Sequence, residues 1–257
     1  MPTWKLTLAY DGSGFVGWQR QAEGISIQGV VEAAAARIAG IPDVTATGAG
    51  RTDAGVHALG QVASVAIPWT GAPANLQRAL NGVLPPAVRV LAVEAVDSSF
   101  HARYGARVKH YAYRVLNAPV ASPFERGRAW HVTAPLDEAR MREALALIVG
   151  THDFSAFQGA GSSVATTVRT VREACLTAGP VPFPVGGATA PGTLFTFALR
   201  GDGFLRHMVR NIVGTVVEIG RGRWEPGQMA DMLASRDRTQ AGPTAPAEGL
   251  YLVKVEY

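Results

Sequence analysis

Residues 4–10, WKLTLAY, alternate apolar and polar side chains, the period of a strand with one face buried. Asp11-Gly12 carries turn chemistry and ends that strand. A helix is predicted next: Ser26 serves as N-cap, the Ala run 33–36 lies inside it, and Gly40 stops it after residue 39. Residues 44–48 and 61–67 read as two strands flanking the segment 49–60, residues 73–81 as a helix, and 88–96 as another alternating strand. The order is strand, helix, strand, strand, helix, strand.

The second half repeats it. Residues 107–116 form a strand, 136–149 a helix stopped by Gly150, and 167–176 and 194–200 two more strands. Residues 204–219 are predicted as a helix with Gly220 behind it, 226–234 as a short helix, and 250–257 as the closing strand. The pattern predicts an α/β (α+β) chain of two tandem ferredoxin-like βαββαβ halves, alike in element order and not in residues. The junction falls near 97–104, giving an N-terminal domain 1–100 and a C-terminal domain 101–257. The Pro/Gly-rich stretch 179–192 reads as a hairpin loop.

Composition narrows the class. The 257 residues suit one large or two ordinary domains, and 47% hydrophobic against 17% charged residues describes a folded chain. There is no run of 18 uncharged apolar residues, and no leader pattern around Lys5, so membrane spans and secretion are not expected. Cys175 is the one cysteine, which rules out an internal disulfide or a thiolate zinc cluster and fits a reducing cytoplasm.

Charge matters by location more than by total. The net charge is only +4, and 21 of the 24 cations are Arg, which suits bidentate phosphate contacts, although genome base content is an alternative source of an Ala-, Gly- and Arg-rich composition. Residues 98–128 carry +5 and residues 200–223 carry +3, while the rest of the chain sums to −4. The first stretch interleaves Arg103, Tyr104, Arg107, Lys109, His110, Tyr111, Tyr113 and Arg114, the mixture of a nucleic-acid surface or of a solvated strand face.

Gly12-Ser13-Gly14-Phe15-Val16-Gly17 fits a dinucleotide-binding pattern, but no helix opens directly behind it, so no helix N-terminus meets a pyrophosphate. No P-loop or G-x-S-x-G elbow occurs, and the six His show no i, i+4 pairing for a metal site. The segment 48–58, GAGRTDAGVHA, is different: it sets Asp53 among small residues, with Arg51 two residues before and His57 four after. Gly50 and Gly55 permit close backbone approach, and Thr52 can bond the turn. Such a carboxylate is either a nucleophile or base, or a turn cap paired with Arg51, and the residues alone leave both open.

The segment GRTDAGVHALGQV (50–62) resembles the signature of the tRNA pseudouridine synthase A family. YDGSGFVGWQRQ (10–21), FHARYGARVKHYAY (100–113), GTHDFSAF (150–157), GFLRHMVRNIVG (203–214) and APAEGLYLVKVEY (245–257) resemble further family segments in family order. The resemblance implies the pseudouridine synthase fold with a central RNA-binding cleft, no cofactor, no metal, a homodimer, and action on uridines 38, 39 and 40 of the tRNA anticodon stem-loop. It implies Asp53 as the nucleophile, Tyr111 packing on the target base, Arg210 pairing with the nucleophile, and Arg51 beside the site meeting RNA. Arg206, Arg107 and Lys109 are further candidates for RNA contact, Arg206 because it stands four residues before Arg210 and would share its helix face. His57 and His207 are expected to be structural or RNA-contacting. One departure is visible: members often carry Glu at the third helical position after the cap, where Gly29 stands.

The implied chemistry breaks the N1–C1′ bond of uridine, turns the uracil, and joins C5 to C1′. Asp53 would add to C1′, add to C6, or assist glycal formation, and the sequence leaves these three routes open. The Tyr111 hydroxyl is a candidate to help remove the C5 proton. The uridine must leave its stack, at roughly a few kcal/mol, which phosphate contacts from the basic stretches would offset.

Overall fold

The computed structural model describes residues 1–161, 164–182 and 189–257. Two compact units result, residues 1–107 with 251–257 and residues 108–250, and both mix helices with strands as the α/β class requires. The first unit runs β1 (Thr3–Tyr10), α1 (Ile27–Ala39), β2 (Ala46–Gly48), β3 (His57–Ala66), α2 (Pro73–Val83) and β4 (Val88–Val96), which is the predicted order. Antiparallel β3 and β4 flank β1, and β2 pairs with the far edge of β3.

Trp4, Leu6, Leu8 and Tyr10 of β1 are buried, and so are Ile27, Val31 and Ala35 of α1 and Leu76 and Leu80 of α2. The Ser26 hydroxyl accepts from the Gly29 amide, and Gly40 closes α1 at φ 65°, donating its N–H to Ala36 O. The exposed edge of β4 is tied to α2 by Asn81, which bonds both the amide and the carbonyl of Val90 at 2.8 Å.

Strand β3 starts at His57, four residues before the predicted 61, because it has partners from both ends of the chain. Ala58 pairs with Tyr10, while His57 and Ala58 run parallel to Tyr251 and Leu252 of β10 (Leu250–Glu256). The contacts therefore place 251–257 with the first unit, whereas the sequence division at 100/101 assigns that strand to the second. At Gly60, any Cβ would overlap Val253 O, so this pairing needs glycine.

The second unit holds β5 (Val108–Asn117), β6 (Trp130–Val132), α3 (Glu138–Ala146), β7 (Gly150–Asp153), β8 (Val168–Pro182), β9 (Thr189–Gly201), α4 (Met208–Gly220) and α5 (Gln228–Ser235). Its antiparallel order is β5-β9-β8-β7, with β6 parallel to the end of β5. Neither short strand, β6 nor β7, stands out in the sequence pattern. Of the predicted loop 179–192, residues 179–182 and 189–192 are strand, and the remainder lies outside the described residues.

Twelve of the thirteen residues of α4 are buried, and Arg210 is the exception. The predicted start at 204 is four residues early, because His207 precedes the helix at φ 60°. That strained conformation is held by packing: the His207 ring lies where a Cβ on Gly159 would be 2.6 Å away. Among the described residues no helix is long and apolar enough to cross a membrane.

Candidate active site

Asp53 sits half-buried in the loop between β2 and β3. The Val56 amide donates to Asp53 O at 3.1 Å, closing a turn whose third residue, Gly55, has φ 77°. Main-chain bonds fix the loop to the preceding one: the Trp18 amide donates to Thr52 O at 3.0 Å, and the Gly55 amide to Phe15 O at 3.4 Å. At Gly17, φ 103°, an added Cβ would lie 2.5 Å from Thr52 O, and at Gly12 it would overlap Val56 O. The rejected Gly-x-Gly-x-x-Gly pattern is therefore the bed on which the Asp53 loop rests. Its first and last glycines are demanded by backbone approach, not by a cofactor.

Beneath the loop a buried polar group was not anticipated. The Tyr10 and Thr52 hydroxyls are 2.9 Å apart, and Gln61 Nε2 donates to Tyr10 Oη at 3.4 Å and to Gly50 O at 2.9 Å. Thr52 thus bonds Tyr10, where the sequence suggested its own turn. Burial pushes the Tyr10 phenol up to about 12, with the Thr52 and Gln61 hydrogen bonds opposing. His57 is structural here: it is buried, its Nδ1 accepts from the Gly12 amide at 3.1 Å, and its ring stacks on Tyr251 at 4.7 Å.

In the second unit Tyr111 is buried on β5, edge-on to Phe204 with centroids 5.1 Å apart. Arg210 stands in the first turn of α4; its Nε donates to Ala245 O at 2.8 Å, and the Ala245 amide returns a bond to Arg210 O at 3.1 Å. Tyr113 holds the next carbonyl, Pro246 O, at 2.7 Å. Burial raises the Tyr113 phenol far above its ordinary value, and the Arg210 charge partly opposes this. Asn211, fully buried, joins the elements: it donates to Phe157 O at 2.8 Å and accepts from Thr244 Oγ1 at 2.6 Å and Arg238 Nη2 at 3.2 Å. Sequence reasoning missed Asn211, although it is the neighbour of the residue singled out.

Arg206 is exposed and lies before α4, so it does not share a helix face with Arg210. Its guanidinium donates to Ala160 O at 2.8 Å. Arg51 and Arg107 are exposed, and Lys109 is half-buried on β5. Part of the basic excess serves the fold: Arg221 and Arg223 each approach Glu218 to 2.6 Å, and Arg114 pairs with Glu125 at 2.9 Å.

A model of the family described as tRNA pseudouridine synthase matches residues 7–105 and 144–257. A tRNA pseudouridine synthase A of Moorella thermoacetica is 45% identical, with all of each chain covered. Those of Myxococcus xanthus and Cereibacter sphaeroides are 44% and 43% identical, covering all of this chain and 92% and 97% of theirs. The chain belongs to the tRNA pseudouridine synthase family. Members of the A type are isomerases that convert uridine to pseudouridine in tRNA. Asp53 and Arg210 lie inside the matched stretches, and Tyr111 lies between them, within the full-length alignments.

Proposed function

We propose that the protein isomerises uridine to pseudouridine at positions 38, 39 and 40 of the tRNA anticodon stem-loop, with Asp53 as nucleophile and no cofactor. The observation that carries the reading is similarity to the A-type synthases over the whole chain. The reaction is an isomerisation: the N1–C1′ bond breaks, a C5–C1′ bond forms, the C5 proton leaves and N1 gains one. A carboxylate held on a rigid loop is the part this demands from the protein, and Asp53 occupies a loop braced by main chain on its neighbour.

In this reading Tyr111 packs on the target base and Arg210 pairs with the nucleophile. Beyond its bond to Ala245, the position of Arg210 supports a role for its charge. A cation in the first turn faces the positive end of the helix dipole, which disfavours it by roughly 0.3–1 kcal/mol. Arg51 meets RNA beside the site, and Arg107, Lys109 and Arg206 meet the tRNA backbone. The same reading makes the protein a homodimer working on tRNA in the cytoplasm.

Tritium release from tRNA carrying 5-tritiated uridine tests the proposal. Wild-type protein should release tritium, and Asp53→Ala should fall to background. No release by wild type would remove the isomerase reading; full release by Asp53→Ala would remove the nucleophile.

A further inference from the structure

Tyr104 keeps 80% of its surface in solvent, more than any other aromatic side chain among the described residues. It is nevertheless built into a fixed loop. The amides of Arg103 and Tyr104 both donate to His101 Nδ1 at 3.2 Å, and the Gly105 amide donates to His101 O at 2.9 Å. Tyr257 clamps the loop to the body of its unit: its hydroxyl donates to Ala102 O at 2.8 Å, and its ring lies 5.0 Å from that of Phe100. Behind Tyr104, the Arg107 amide donates to Glu256 O at 2.8 Å.

The ring is thus held out, with partners suited to a nucleotide. His101 lies 4.3 Å from it centroid to centroid, and the Arg103 guanidinium is 5.9 Å over it. Arg103 and Arg107 are exposed, and residues 98–107 contain no acidic side chain. Rings stack on bases of any identity, while adjacent cations meet the flanking phosphates.

We propose that Tyr104, backed by His101 and Arg103, is a stacking platform for an unpaired base of the tRNA substrate, with Arg103 and Arg107 on the phosphates beside that base. The proposal rests on tRNA being the substrate and adds a binding contact separate from the residues assigned to the chemistry. A ring fixed in advance binds without the cost of ordering its loop. The contact reads no particular base sequence, because every base offers a face.

The test measures the affinity of an unmodified tRNA transcript in the Asp53→Ala background, so that binding is read without turnover. Tyr104→Ala should raise Kd roughly tenfold, with the salt slope unchanged, and Tyr104→Phe should restore affinity. Arg103→Ala should instead lower the slope of log K against log salt by roughly 0.7–0.9. Unaltered Kd in Tyr104→Ala, or equal weakness of Tyr104→Phe and Tyr104→Ala, would overturn the platform. So would a change confined to self-association in sedimentation, which would assign the surface to a second copy of the chain. Failure of the parent protein to bind tRNA at all would instead overturn the substrate reading on which the platform rests.

Discussion

The loop bearing Asp53 and the helix turn bearing Arg210 differ in which contacts dominate, although side chains of Tyr10 and Gln61 also bond the first and one main-chain bond from Ala245 also holds the second. The first is held by backbone on backbone: Trp18 and Gly55 amides bond carbonyls across two loops, and Gly12 and Gly17 leave room for that approach. The second is held by side chains, with Asn211 joining Phe157, Arg238 and Thr244 and with Arg210 itself gripping Ala245. Backbone contacts depend on the absence of atoms, so they tolerate almost no substitution. A side-chain hub loses one bond at a time and should degrade by steps.

Gly17→Ala is expected to have the largest effect, because it combines strain at φ 103° with a Cβ 2.5 Å from Thr52 O. Strain and overpacking together should cost about 4 kcal/mol in urea unfolding, and activity should go with the fold. A loss under about 1 kcal/mol would show that the loop is not backbone-held. Asn211→Ala should cost about 2–3 kcal/mol by leaving buried partners unpaired. Combined with Thr244→Val it should cost less than the two singles added, since both remove one bond; strict additivity would dissolve the hub.

Tyr10→Phe should be mildest near neutral pH, about 1–2 kcal/mol from the lost hydrogen bonds to Thr52 and Gln61, the second of them long. Its distinctive effect is at alkaline pH. The folded phenol is raised from 10 to about 12 by burial, so the unfolded chain ionises first. The Tyr10 contribution is complete below pH 10 and is lost as pH rises toward 12, on the order of 2 kcal/mol. Burial raises Tyr113 and Tyr257 in the same direction, so alkaline unfolding of Tyr10→Phe should persist with a shallower fall of stability between pH 10 and 12. An identical fall in both proteins would mean that this hydroxyl is not buried under the loop.

Legibility in the sequence follows the range of the interactions. Strand β4 was read to the residue and α1 through both caps, because alternation, a Ser cap and a left-handed Gly are local signals. The start of β3 was not, since its partners lie at residues 10 and 251–252. The start of α4 was displaced by His207, whose positive φ depends on a ring packed over Gly159. Asp53 stands out as an isolated carboxylate among glycines, and the nucleophile role proposed for it rests on resemblance. Tyr10, Gln61 and Asn211 gave no sign, because a buried polar residue looks like any other until its partners, dozens of residues away, are in place.

The sequence by itself determined the period of the longer strands and of the helices, the caps of α1, the tandem order of those elements and the family. These are properties of neighbouring residues or of matched segments. Only the tertiary structure decided that Gly12 and Gly17 serve the Asp53 loop, that 251–257 returns to the first unit, and that α4 is buried around Arg210. Close approach, strand pairing and burial are pair properties of distant segments, and chain folding alone brings those segments together.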